Sequence, residues 1–189
     1  MTVTGVRLWT VEEYHRILDA EILTTDDRVE LLEGQILEMS PQQPPHAATT
    51  QRTSNYLSSL LVGQAYMRMQ LPITLRPNSE PEPDIAVVRI DAGEYIDHHP
   101  TPNEIFLLVE VADTTLARDR QQKARAYAKA GIVDYWVLDV NARRVYVFRK
   151  PESNVYQEET VLDRDATLSL VAFPEIEVCI NQLFPYYLE

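Results

Sequence analysis

Ile105-Phe-Leu-Leu-Val-Glu-Val111 is the most apolar run of strand length in the chain, and it predicts a strand buried on both faces. A segment rich in Ala, Arg, Gln and Lys follows, from about Ala117 to Ala130. These are good helix formers, and Gly131 stands where a left-handed residue would stop the helix. Val133 to Val140 and Arg144 to Arg149 then read as a hairpin across Asn141-Ala142. Upstream, Ile85-Ala-Val-Val88 predicts a second short buried strand. Pro77 to Pro83 is too rigid to lie within a central ladder, and residues 66–75 alternate like a strand. His46 to about Gly63 has helical spacing. Arg28 to Met39 reads as two strands around a turn at Glu33-Gly34, and Thr10-Val-Glu-Glu13 is a capping box that opens a helix to about Ala20. The tail alternates weak strand and turn. Buried strands interrupted by helices predict an α/β (α+β) fold with a mixed central β-sheet flanked by helices. The expected organisation is a single domain over 1–189, with an N-terminal helical segment at 1–25 and a core at 26–180.

The chain has 189 residues, 45% hydrophobic and 24% charged, values that suit a folded core and exclude disorder. Its net charge is −12, against a protein that coats nucleic acid with its whole surface. The charge is uneven. Residues 1–50 carry 3 basic and 9 acidic side chains, residues 151–189 carry 1 and 8, and residues 118–150 hold nine Lys/Arg against Asp119, Asp134 and Asp139. Any binding to DNA is therefore expected to be weak, local and salt-sensitive. The single Cys179 excludes an intrachain disulfide and a thiolate metal cluster. The N-terminus lacks a basic stretch followed by an apolar one, and no apolar run is long enough to span a bilayer. A cytoplasmic location without membrane contact is expected.

Chemistry is expected where three residues follow in order. Asp84 opens one strand, Glu110 comes 26 residues later near the end of the most apolar strand, and Lys123 lies 13 further on in the next helix. A carboxylate in an apolar strand loses hydration and needs a partner. For Glu110 that is a bound cation, an internal Lys or Arg, or an edge location. Two carboxylates and a backbone carbonyl suit Mg²⁺, and a nearby ammonium suits a phosphoryl transition state. Asp119, Lys123 and Tyr127 fall on one helical face, so Asp119 reads as an i, i+4 partner of Lys123 or a group near the metal. His46 is either a helix-start residue near the first-turn dipole or a group beside the metal. His98-His99 has no third ligand at a spacing that suits zinc. Tyr135-Trp136 reads as core, and Arg143 and Arg144 as hairpin-tip charges within reach of phosphates.

Pro83-Asp84, Leu108-Val-Glu-Val-Ala-Asp-Thr-Thr115, then Asp119, Lys123, Tyr127 and Gly131-Ile-Val-Asp-Tyr-Trp136 resemble the Uma-type family of bacterial restriction endonucleases, within the PD-(D/E)XK nuclease superfamily. Glu30-Leu-Leu-Glu-Gly34, Met39-Ser-Pro41 and His46 also match its pattern. The resemblance covers roughly residues 10–180 and implies a restriction-endonuclease-like fold. It also implies Asp84 and Glu110 as metal ligands with the Val111 carbonyl as a third, Glu30 as the upstream acid, and Lys123 as the catalytic lysine. The implied metal is Mg²⁺, with Mn²⁺ as a substitute, and the implied activity is DNA phosphodiester hydrolysis, with a homodimer cutting both strands. One position departs from the superfamily pattern. Ala112 stands where the motif lysine usually lies, so the lysine has to come from the following helix. That substitution and the acidic charge keep a second reading open, a catalytically idle nuclease-fold protein acting as a homodimeric binding module. Hydrolysis of another substrate by paired carboxylates, as in glycosidases, is a third reading that the lysine does not favour.

Overall fold

Period-2 alternation along the apolar strands sorts the molecule into layers. The computed structural model describes residues 5–186; the ends of the expected 1–189 domain lie outside the described residues. Strands β3 (Tyr66–Met69), β4 (Ile85–Val88), β5 (Ile105–Ala112), β6 (Asp134–Asp139), β7 (Arg144–Glu152) and β8 (Val155–Leu162) form a six-stranded sheet in the order β3-β4-β5-β6-β7-β8. The sheet is mixed: β5 and β6 run parallel, and the other neighbours are antiparallel. The mixed sheet expected from the sequence is therefore present, with β4 in its expected place and β5 one residue longer.

Along β5, Leu107, Val109 and Val111 face one side with Ile85, Val87, Trp136 and Leu138. That side is covered by α2 (Pro44–Leu60), through Leu57, and by the short α5 (Ile180–Leu183), through Ile180 and Leu183. Leu108 and Ala112 face the opposite side with Ala86, Val88 and Tyr135. Glu110 has the same parity as Leu108 and Ala112, so the pleat sends it toward the segment that connects β5 to β6. Tyr135 and Trp136 are fully buried on opposite faces, which makes them core, as expected.

The connecting helix is not uniform. It runs as α3 (Leu116–Arg118), a π-helical turn (Asp119–Lys123) and α4 (Ala124–Ala130), ending on Gly131 at φ +81°. The amide of Ala124 donates to the Asp119 carbonyl, five residues back, and this wider turn shifts the face on which Lys123 emerges. The expected 66–75 strand stops at Met69. Gln70 adopts a left-handed φ of +52°, and its amide donates to the Pro83 and Asp84 carbonyls, so the chain leaves the ladder. Helix α2 begins two residues before His46, on a proline that fits a first helical turn.

At the N-terminus, α1 (Val11–Asp19) starts with the expected capping box at Thr10 and Glu13. Strands β1 (Val29–Leu32) and β2 (Gln35–Glu38) pair as the expected hairpin. Gly34 at its turn is obligatory, because φ is +81° and an added Cβ would lie 2.6 Å from the Leu8 Cβ. Val11, Tyr14 and Leu31 bind α1 to the hairpin, and Leu31 bridges to Glu80 in the proline-rich segment. That bridge brings β1, with Glu30, against the main sheet. The tail forms the two-stranded β9 (Thr167–Leu170) and β10 (Phe173–Cys179), whose pairing is interrupted after Phe173. Among the described residues no helix is long and apolar enough to cross a membrane.

Candidate active site

Strand register explains why two carboxylates 26 residues apart meet. In the antiparallel β4–β5 pair Ile85 lies opposite Val109 and Ala86 opposite Leu108. One further step places Asp84 opposite Glu110. The Asp84 carboxylate turns onto the end of β5: its Oδ2 accepts from the Val111 amide at 2.8 Å. Its Oδ1 accepts from His46 Nε2 at 2.9 Å and from Gln70 Nε2 at 3.3 Å. Burial pushes the Asp84 carboxyl up, but the bond and charge of His46, the Lys123 charge and the Val111 amide outweigh it, so it stays below its ordinary range.

Glu110 is satisfied by the helix that follows its own strand. Its Oε1 accepts from Lys123 Nζ at 2.8 Å and from the Tyr127 hydroxyl at 2.7 Å. Of the alternatives open for Glu110 in the sequence, the internal lysine is therefore realised. Lys123 Nζ also lies 3.6 Å from Glu30 Oε2, and Arg118 closes the group with an ion pair to Glu30 Oε1. Burial raises the Glu110 carboxyl to about 8; the Lys123 charge opposes this, while Asp84, Asp119 and Glu30 add to it. Burial works against the Lys123 ammonium, but Glu110, Glu30 and Asp119 more than offset it and keep it charged. One lysine thus serves three carboxylates.

All four expected catalytic positions, Glu30, Asp84, Glu110 and Lys123, line one cavity of about 510 Å³, together with Val111, His46 and Asp119. His46 stands in the first turn of α2, and its Nε2 is bonded to Asp84, so it meets both descriptions the sequence left open, a helix-start residue and a neighbour of an expected ligand. Asp119 lines the same cavity, its carboxylate accepts from the Thr115 hydroxyl at 2.5 Å, and its charge helps to keep Lys123 protonated. Arg143 and Arg144 serve the fold: Arg143 donates to the Pro185 carbonyl and Arg144 pairs with Asp163. His98 is held by Asp97 and Glu104.

Two contributors escaped the sequence reading, and a third was placed without its contact. Gln70 reaches Asp84 only because β3 ends in a left-handed residue. Arg118 meets Glu30 across 88 positions of sequence. Tyr127 was placed on the helical face with Lys123, but not its hydroxyl bond to Glu110. A glutamine just before a proline-punctuated loop was the one visible hint of the first; Arg118 had none.

The donor set fits a hard divalent cation. Two carboxylates from adjacent strands converge beside the Val111 backbone, and Oε2 of Glu110 has no hydrogen-bond partner among the described residues. Burial, with the neighbouring carboxylates adding to it, raises Glu110, and a bound cation would favour its ionised form. Among the described residues no three His, Cys, Asp or Glu are grouped to hold an ion by themselves. Mg²⁺ takes one or two carboxylates and fills its remaining positions with water and substrate oxygens.

Comparison with known proteins agrees with this architecture. A family model named Uma2 and described as "Putative restriction endonuclease" matches residues 11–181. The crystal structure of a "putative nuclease belonging to DUF820" from Anabaena variabilis superposes with a TM-score of 0.69 at 21% identity, over 93% of this chain and 97% of that one. No curated protein matches.

Proposed function

The chain belongs to the Uma2 family of restriction-endonuclease-like proteins, and from that premise we propose that it is a Mg²⁺-dependent endodeoxyribonuclease, with Mn²⁺ as a substitute. The observation that carries the proposal is the convergence of Asp84 and Glu110 from paired strands, with Lys123 bonded to Glu110. Asp84, Glu110 and the Val111 carbonyl are the proposed ligands. When bound, the cation supplies a lowered pKa for water and charge compensation for the phosphoryl oxygens.

The remaining work falls to the chain. Hydrolysis adds one water across a P–O bond: its oxygen joins phosphorus, and the departing oxygen takes a proton and leaves as a hydroxyl end. Lys123, fixed by Glu110 and Glu30, presents an ammonium to the oxygens on which charge grows. Tyr127 holds the Glu110 carboxylate in place, and His46 and Gln70 do the same for Asp84, so the ligands are ordered before substrate arrives. Arg118 keeps Glu30 directed at Lys123. Ala112 is no obstacle in this arrangement, because the lysine arrives from the π-turn and not from the strand. The proposed partner is DNA, bound weakly and with salt sensitivity because little of the surface is basic, and the proposed assembly is a homodimer that brings two sites to two strands.

Crystals soaked in Mn²⁺ test the ligand assignment. The expected result is an ion within about 2.0–2.6 Å of carboxylate oxygens of both Asp84 and Glu110. An ion bound elsewhere, with Glu110 still held only by Lys123 and Tyr127, would sink it.

A further inference from the structure

Resting on the nuclease reading above, we propose that Arg68 is a DNA-positioning residue, whose guanidinium takes a backbone phosphate beside the one that is cut. The first ground is that this arginine has nothing else to hold. Of the partly buried arginines, Arg52, Arg118, Arg120, Arg143 and Arg149 each donate to a carboxylate, amide or carbonyl oxygen. Arg68 is also partly buried, yet it has no hydrogen bond or ion pair among the described residues, and its Nε is shut off from solvent without a partner. Only the Tyr95 ring faces it, with the guanidinium carbon 5.3 Å from the ring centroid. A ring face offsets lost hydration in part. Burial holds the guanidinium below its ordinary range, with no carboxylate near enough to oppose it. A half-buried cation without an anion is costly, and an anion from outside the chain would complete the pair.

The second ground is position. In the β3–β4 pair Arg68 lies opposite Ala86, two residues along β4 from Asp84. Ala86 shares its sheet face with Leu108, and Glu110 has the same parity, so the pleat turns Arg68 to the face that carries the carboxylates. Two strand residues span about 7 Å. Gln70, two residues on from Arg68, is bonded to Asp84, and His99 in the cavity wall feels the Arg68 charge. A DNA strand carries a phosphate about every 3.4 Å of axis. With one phosphate at Asp84 and Glu110, a neighbouring one therefore falls within reach of the guanidinium.

The group itself suits a phosphate. A guanidinium presents a planar fork that matches two phosphate oxygens, and it stays charged across the pH range of a folded protein. Its backing is fixed as well. The Tyr95 hydroxyl donates to the Arg89 carbonyl at 2.9 Å, and the Tyr95 amide donates to the Asp91 carboxylate at 3.1 Å. The arginine thus rests on a ring that is ordered before DNA arrives. A phosphate contact sets where the strand lies and carries no sequence information, so Arg68 serves any DNA sequence alike.

The test compares Arg68→Met with Arg89→Met in the full-length protein. Both remove one positive charge, but Arg89 is exposed and lies over Phe106, which packs against the opposite layer. Binding of a labelled DNA duplex is followed by fluorescence anisotropy over a range of KCl, at fixed Ca²⁺ in place of the cutting cation, and folding by thermal melts. Arg68→Met is expected to bind about 10-fold or more weaker, the loss that one charge-assisted hydrogen bond implies. The loss should be the same on unrelated sequences, and the slope of log K against log salt should be shallower by about 0.9. Its melting temperature should match or exceed that of the wild type, because the methionine keeps the apolar stem and removes the unpaired charge. Arg89→Met is expected to bind like the wild type. Unchanged affinity and slope in Arg68→Met, or an equal loss in Arg89→Met, overturns this inference and leaves the nuclease reading standing. A marked fall in the Arg68→Met melting temperature gives the residue a structural role and overturns it too. A wild-type protein that binds no DNA overturns it, and one that also binds no Mn²⁺ takes the nuclease reading with it.

Discussion

Lys123→Met is expected to slow Mg²⁺-dependent DNA cleavage by about 10²- to 10³-fold, the loss typical when one preorganised charge-stabilising donor is removed. Lys123 has no substitute near it. Arg118 is committed to Glu30, and Arg28 is an exposed side chain. The substitution should also be felt in stability, because it takes the one ammonium from among Glu110, Glu30 and Asp119. Breaking one side of a buried ion pair costs about 3–5 kcal/mol. Glu110, already raised to about 8, can shed part of that cost by taking up a proton, which sets the loss toward the lower end. Added Mg²⁺ should recover stability in this variant more than in wild type, since the ion would supply the missing positive charge. Single-turnover cleavage and thermal melts with and without Mg²⁺ give both readouts. A variant that cleaves at the wild-type rate would remove Lys123 from the mechanism.

Asp134→Ala is expected to cost about 3–5 kcal/mol of folding stability, measured by denaturant unfolding, without changing the cleavage rate per folded molecule. The reason lies in what this fully buried carboxylate holds. Its Oδ1 accepts from Trp136 Nε1 at 2.9 Å and Arg149 Nε at 3.0 Å. Its Oδ2 accepts from Arg149 Nη2 at 3.2 Å and from the Val171 amide at 2.9 Å. One side chain thus joins β6, β7 and the turn between β9 and β10. Burial pushes the Asp134 carboxyl up, and the Arg149, Val171 and Trp136 bonds oppose that rise without cancelling it. Truncation strands the indole N–H of the fully buried Trp136 and leaves the Arg149 guanidinium without its carboxylate. Total stabilities of about 5–15 kcal/mol leave room for a folded but weakened variant. A loss under about 1 kcal/mol would show that the tail is not anchored this way.

The two predictions differ in how far the sequence foreshadowed them. Asp84 and Glu110 were legible because strand pairing is a short-range code: an apolar run with one carboxylate, preceded by another short apolar run opening on a carboxylate, sets up their meeting. Lys123 was legible as the first lysine in the helix after β5. The same reasoning missed the π-turn, because one extra backbone residue per turn leaves no mark in composition. Gln70 depended on where β3 gives out, and residues 66–75 keep alternating past that point. The pairings Glu30–Arg118 and Asp134–Val171 join residues 88 and 37 positions apart. No local pattern encodes such distances; they follow from the packing of the β1–β2 hairpin and the tail onto the sheet.

Incubating the purified protein with supercoiled plasmid in Mg²⁺, Mn²⁺ or EDTA, beside Asp84→Asn, tests the central claim most directly. Loss of the partners that merely orient a metal ligand lowers affinity or activity by about 10- to 100-fold, so altering the ligand itself should cost about 100-fold or more. The wild-type protein is predicted to nick the plasmid with either cation and not in EDTA, and Asp84→Asn to leave it intact over the same time. Equal nicking by both proteins, or nicking that survives EDTA, would contradict a cation-dependent nuclease centred on Asp84 and Glu110.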